Sequence, residues 1–293
     1  MWAMDPLPAF DGVPLHRHDW PIPPPARGLV CIVHGLGEHG QRYRATAQAL
    51  NEAGWHVCSF DLRGHGLSGG ARGATPSPGA MFEDLAMVLD ALPAVPGPRV
   101  LLGHSMGGLI AARFVAEALA AQPASWSRTL DALVLSSPAL DPGMNAAQKL
   151  LLMLLGPLLP DLALGNGLEP VWVSRDPAVV QAYVDDPLVH DRVTPRLVRM
   201  IVDGGVAAQA AAARWRMPTL LMWAGADRCV APAGSAAFAA AAPEAVVESR
   251  CFPRLAHEIL NEPERAEVLA HLLAWLERLP AAARPAVLQE ETS

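Results

Sequence analysis

The feature that most constrains this chain is a recurring order: an apolar run rich in β-branched residues, then Gly, Asp or Ser turn chemistry, then a helical pattern. Strands that alternate with helices pair in parallel and need helices to cover the sheet. The runs are Leu29–Val33, Trp55–Phe60, Val100–Leu102, Ala132–Ser136, Thr219–Trp223 and Val246–Cys251. Helices are expected over Tyr43–Ala53, Pro78–Leu92, Met106–Ala120 and Pro263–Leu279, and the Ala-rich stretches Ala207–Ala213 and Ala236–Ala242 also read as helix. Ahead of the first run, Phe10–Trp20 carries the Asp11-Gly12 turn signal and reads as an antiparallel hairpin at the sheet edge. The rhythm breaks over residues 141–214, where helical patterns follow one another with no strand candidate between them. That break divides the chain into a core of residues 1–140 and 215–280, a helical cap inserted over 141–214, and a frayed tail, 281–293.

Composition excludes several classes. At 52% hydrophobic and 17% charged, the 293 residues can bury a large core, which rules out disorder over most of the length. The formal charge is −7 and no basic run interleaves with aromatics, so no nucleic-acid partner is expected. Met1–Trp20 has neither a basic n-region nor an apolar h-region, and no signal peptide is read there. The most apolar stretch, Leu150–Leu164, is broken by Gly156, Pro157 and Pro160 and is too short to span a bilayer. Cys31, Cys58, Cys229 and Cys251 show no C-x-x-C spacing. A reducing cytoplasm is the expected compartment, with four free thiols in preference to a Cys229–Cys251 bridge.

The strongest chemical signal is Gly103-His104-Ser105-Met106-Gly107, set between the run Val100–Leu102 and the helical pattern Gly108–Leu119. Strand, sharp turn and helix in that order make a nucleophile elbow: small residues two before and two after the serine let the backbone bend and lift Ser105 above the sheet. A serine hydroxyl needs a histidine base and an orienting carboxylate. Asp227 follows the strand Thr219–Trp223 on a loop, and His257 follows Val246–Cys251 on another; His271 falls inside a helix and reads as a surface or packing residue. The tetrahedral intermediate also needs two backbone donors. Met106 N–H is one, and Leu36 N–H, between Gly35 and Gly37 after the first core strand, is the other. His34 and His39 lack a third partner for a metal, so neither metal nor cofactor is expected.

Taken together, His34-Gly-Leu-Gly-Glu-His39 with Arg42-Tyr43, Asp61-Leu-Arg-Gly-His-Gly-Leu-Ser68, the elbow, Asp186-Pro-Leu-Val, Asp227 and His257 resemble the monoacylglycerol lipase and lysophospholipase-like group of α/β-hydrolases over residues 28–279. The resemblance implies an α/β-hydrolase fold: a mostly parallel eight-stranded sheet flanked by helices, with a helical cap inserted after the sixth strand. It implies a cofactor-free serine esterase acting on a small lipid-like ester of one medium or long acyl chain, foremost monoacylglycerol, through an acyl-enzyme. A carboxylesterase, lysophospholipase, thioesterase or acyltransferase would share the triad, because specificity lies in the cap. A non-catalytic binding protein would lack a triad member. The resemblance also sets Glu38 and Arg42 near the polar head of the substrate, against the plainer reading of a structural salt bridge. Where mammalian members carry a second histidine three residues after the catalytic one, this chain has Leu260. Asp61, Arg63, Gly64 and Gly66 read as a tight structural loop. The leucine run from Lys149 to Leu164 reads either as a cap helix that lines an acyl tunnel and touches a lipid interface, making the protein peripheral to a membrane, or as ordinary packing.

Overall fold

The computed structural model of the protein describes residues 6–280. Two very short strands, β1 (Leu7–Pro8) and β2 (Pro14–Leu15), precede β3 (Arg17–Trp20), β4 (Leu29–Val33), α1 (Arg44–Glu52), β5 (His56–Phe60), α2 (Ala80–Asp90), β6 (Arg99–His104), α3 (Ser105–Glu117) and β7 (Ala132–Ser136). The stretch without expected strands holds α4 (Ala146–Leu155), β8 (Leu164–Gly165), α5 (Pro177–Asp185), β9 (Arg192–Val193) and α6 (Pro195–Ala211). The alternation then resumes with β10 (Thr219–Ala224), α7 (Pro232–Ala241), β11 (Val247–Phe252) and α8 (Arg265–Glu277).

The main sheet has the order β11-β10-β7-β6-β4-β5-β3, parallel throughout except for β3, which runs antiparallel to β5. All five residues of β4 are buried, which is why central strands read as unbroken apolar runs and not as alternating ones. Alternate residues of the strands feed two cores. Cys31 and Val33 pack with Leu85 of α2, Phe114 of α3, Met200 of α6 and Phe238 of α7. Val30 and Ile32 pack on the opposite face with Leu50 of α1 and Leu272 of α8.

Two expectations need correction. Among the described residues the main sheet holds seven strands where eight were expected, because β1 and β2 pair with each other about the Asp11-Gly12 turn. Their register sets Pro8 against Pro14, and a residue without an N–H cannot extend a ladder into the sheet. The inserted stretch is also not purely helical, since β8 and β9 form an antiparallel pair. Two residues per strand are too few to show a period of two.

Residues 141–214 do not pack as one unit. Helix α6 buries Leu197, Met200, Ile201 and Ala208 in the same core as α3, and Gly204 lies against Leu109, where an added Cβ would already touch the leucine at 3.4 Å. Helix α4 behaves differently. It starts at a capping box between Asn145 and Gln148, and Leu150, Leu151, Met153 and Leu154 on it are all more than half exposed. The loop after β5 is the tight structure expected of it. Asp61 accepts Gly40 and Leu67 N–H and pairs with His18, and Arg63 forks onto Asp84 and Asp11, tying α2 to the β1–β2 turn.

All four cysteines are free thiols. The tail, 281–293, and any fraying there lie outside the described residues.

Candidate active site

The sharp turn at the end of β6 puts Ser105 at the first residue of α3 with φ +53°, a left-handed conformation that costs a non-glycine residue of order 1–3 kcal/mol. The glycines around it are small because the chain is crowded there. A Cβ on Gly103 would lie 2.4 Å from Gly107 O, and one on Gly107 would lie 2.2 Å from Val33 O. Ser105 is partly exposed, and its carbonyl accepts Ala139 N–H at 2.9 Å, which ties the turn to the segment after β7.

Asp227 sits on the loop after β10 and His257 on the loop after β11, so neighbouring parallel strands deliver both to the same edge as Ser105. His257 Nδ1 pairs with Asp227 Oδ2 at 2.7 Å, while Asp227 Oδ1 accepts Cys229 and Val230 N–H at 2.8 and 3.1 Å. Burial alone would keep the imidazole neutral, but the Asp227 charge and its hydrogen bond, followed by Glu258 and Glu38, raise His257 above its ordinary value. The His257 ring lies 4.7 Å from that of His104, which burial and the neighbouring His257 push down to about 3. Ser105 Oγ and His257 make no hydrogen bond here; such contacts tighten when substrate fills the site.

The loop after β4 presses on the same turn, for a Cβ on Gly35 would lie 3.1 Å from Ser105 Cβ. Gly37 has φ +77°, and its carbonyl accepts His190 N–H from the inserted segment at 2.9 Å. Between these glycines Leu36 N–H has no acceptor among the described residues. Met106 N–H, in the first turn of α3, has no intrahelical acceptor either. Two free donors and a strained serine at a helix N-terminus suit a developing oxyanion.

A profile of the serine aminopeptidase S33 family matches residues 24–264. The chain belongs to that family. A monoacylglycerol lipase of Mycolicibacterium smegmatis is 34% identical over 90% of this chain and 93% of its own length. A phospholipase of Bacillus subtilis is 28% identical over 85% of the chain and 95% of its own. The crystal structure of the Paleococcus ferrophilus monoacylglycerol lipase is 34% identical and superposes with a TM-score of 0.79, covering 89% of this chain and 98% of that one. This S33 protein is a serine hydrolase of the α/β-hydrolase fold, with relatives that support lipase or esterase chemistry.

Of the residues expected near the substrate head, Glu38 is 3% exposed and both its carboxylate oxygens are engaged: Oε1 by Gly35 N–H and Tyr43 O–H, Oε2 by Arg42. Arg42 in turn forks onto Glu258. Tyr43, Glu258 and Asn261 join this group of contacts, and the Arg42–Glu258 pair was not legible beforehand, because it links positions 216 residues apart. Glu262, fully buried, was missed as well; it accepts Ala256, Ser174 and Arg175 donors and anchors the histidine loop. A cavity of about 490 Å³ between α3, α4 and α6 is lined by Phe82, Arg113, Leu152 and Met200, and none of Ser105, Asp227 and His257 borders it.

Asp227, Cys229 and His257 bring one potential ligand atom each within 4.8 Å of one another. Burial, then the Asp227 charge, push the Cys229 thiol well up, so the thiolate a metal needs is disfavoured, and the other two atoms already share a hydrogen bond. Ester hydrolysis is therefore expected to survive EDTA and dialysis. A loss that zinc restores would give this group a metal.

Proposed function

We propose that the protein hydrolyses carboxylic esters of one medium or long acyl chain and a small polar alcohol, foremost monoacylglycerol to fatty acid and glycerol. The observation that carries this is the Asp227–His257 pair delivered beside a strained Ser105 at a helix N-terminus. Ser105 Oγ attacks the ester carbonyl as His257 Nε2 takes its proton, and Leu36 and Met106 N–H hold the oxyanion. The imidazolium then protonates the leaving glycerol, giving an acyl-enzyme. His257 next takes a proton from water, which attacks the acyl carbon and releases the fatty acid as Ser105 regains its proton. Asp227 holds the imidazole tautomer throughout. The second reading is a lysophospholipid ester, favoured by the Bacillus relative's being named a phospholipase.

The experiment is a monoacylglycerol chain-length series beside short p-nitrophenyl esters and lysophospholipid. Medium or long monoacylglycerols are expected to give the highest kcat/KM. A strong preference for short aryl esters would make the enzyme a general carboxylesterase, and one for lysophospholipid would move the head-group assignment.

The exposed apolar side chains of α4, continued by Leu158, Leu159 and Leu162, support a transient contact with a lipid surface from which substrate enters, and hence an enzyme peripheral to a membrane. No helix among the described residues is long and apolar enough to cross a bilayer. Leu151→Asp with Leu154→Asp is expected to weaken sedimentation with phosphatidylcholine vesicles at least about tenfold, in keeping with about 1.5–3 kcal/mol per buried leucine. Unchanged sedimentation would remove the lipid contact and leave α4 as ordinary cap.

A further inference from the structure

Three charged side chains, two of them close in sequence and the third 216 residues from Arg42, meet beside His257. Glu38 lies two residues after Leu36, Glu258 directly follows His257, and Arg42 joins them. Arg42 Nη1 donates to Glu38 Oε2 and to Glu258 Oε1, both at 2.6 Å, and Nη2 donates to Glu258 Oε2 at 2.8 Å. The side chains are 5%, 10% and 6% exposed for Glu38, Arg42 and Glu258, and the ring of Tyr183 from α5 covers the guanidinium at 4.8 Å.

Each carboxylate is fastened to its own loop. Glu38 Oε1 accepts Gly35 N–H at 2.6 Å, one residue before the free Leu36 N–H, and Tyr43 O–H at 2.7 Å. Glu258 Oε2 also accepts Asn261 Nδ2–H at 2.8 Å, and Glu258 N–H donates to Val173 O. Burial alone would raise the Glu38 carboxyl, yet Arg42 holds it down at about 2, so Glu38 stays ionised at neutral pH. A planar guanidinium gripping a carboxylate bidentately is among the more rigid connectors a protein can build.

We propose that Arg42 is a positioning residue for hydrolysis, holding the loop that offers Leu36 N–H at a fixed spacing from the loop that carries His257. The proposal rests on the assignment of Ser105, Asp227 and His257 given above. It differs from a head-group role for Glu38 and Arg42. Three of about four acceptor positions on Glu38 are filled from within the protein, and the guanidinium lies beneath Tyr183. The oxyanion donor and the base act on the same tetrahedral carbon, so a change in their spacing acts on the rate of chemistry. A misplacement near 1 Å costs on the order of 100-fold.

The test uses two substrates with the same acyl chain, a monoacylglycerol and a p-nitrophenyl ester that lacks glycerol, with rates expressed per site titrated by a fluorophosphonate. Arg42→Gln is expected to lower kcat about 100-fold on both esters while KM stays within about threefold, and Arg42→Lys to recover part of the loss. Removing one partner of a buried pair also weakens the fold, so Arg42→Gln is made again with Glu258→Gln, which leaves one buried carboxylate in place of two, Glu38, still held by Gly35 N–H and Tyr43 O–H; the same loss of kcat is expected there. Loss confined to KM for the glycerol ester would make Arg42 a head-group contact. Wild-type kcat per titrated site with a lowered melting temperature would make the cluster merely structural. Either result overturns the proposal alone. Full activity in Ser105→Ala, assayed alongside, would overturn the triad reading and this one with it.

Discussion

Ser105→Ala is expected to abolish ester hydrolysis, with kcat down about a millionfold, as found for triad nucleophiles, and the fold intact. That factor corresponds to about 8 kcal/mol of transition-state stabilisation. Such a loss is consistent with the surroundings of Ser105, which are built for one purpose. A left-handed serine persists only because Gly103, Gly107 and Gly108 let β6, β4 and the segment after β7 close on the turn. Alanine meets the same backbone strain without the hydroxyl, so stability should change little. Hydrolysis of a p-nitrophenyl ester by pure protein, with urea unfolding in parallel, checks both halves; activity above a few per cent with a normal midpoint would take Ser105 out of the mechanism.

The second large effect is expected at Asp227→Asn. The amide nearly matches the carboxylate in shape, but it loses the charge and sets a different imidazole tautomer, which costs about ten-thousandfold in the protease precedent. The pH profile carries the sign. His257 acts as a base only when neutral, so kcat/KM should rise with pH through its pKa and level off above it. In the wild type that limb lies above the ordinary histidine value, since the Asp227 charge and hydrogen bond, and after them Glu258 and Glu38, outweigh burial. Without the Asp227 charge the residual activity should show its limb at lower pH. A limb that stays in place, or a variant near wild type, would mean that another carboxylate orients the base.

Much of this architecture was legible in the sequence because burial on both faces leaves a strong local mark. The five buried residues of β4, and likewise those of β7, cannot be mistaken for a surface segment. The elbow was legible for a related reason: crowding by Val33 O, His34 O and Pro138 forces small residues at fixed offsets from the serine. Elements that are two residues long leave no such mark, which is why the β8–β9 pair escaped notice, and why at the Asp11-Gly12 turn the hairpin was legible but not that its strands β1 and β2 pair only with each other, outside the main sheet. Helix α6 was read into the insertion by its position in the chain, while its contacts with α3 put it against the core. The ion cluster was hidden most completely. Glu258 next to a histidine has no distinguishing pattern, and its meaning comes from Arg42, which only the fold brings to it.

The account stands on Ser105 being the one nucleophile of a serine hydrolase, and covalent labelling addresses that claim without assuming a substrate. The protein is treated with a fluorophosphonate, digested, and its peptides mapped by mass spectrometry. One adduct per chain on the peptide containing Ser105 is expected, absent from Ser105→Ala and much slowed in Asp227→Asn. An adduct on another residue, or an enzyme that hydrolyses esters at full rate after exhaustive treatment, would contradict it.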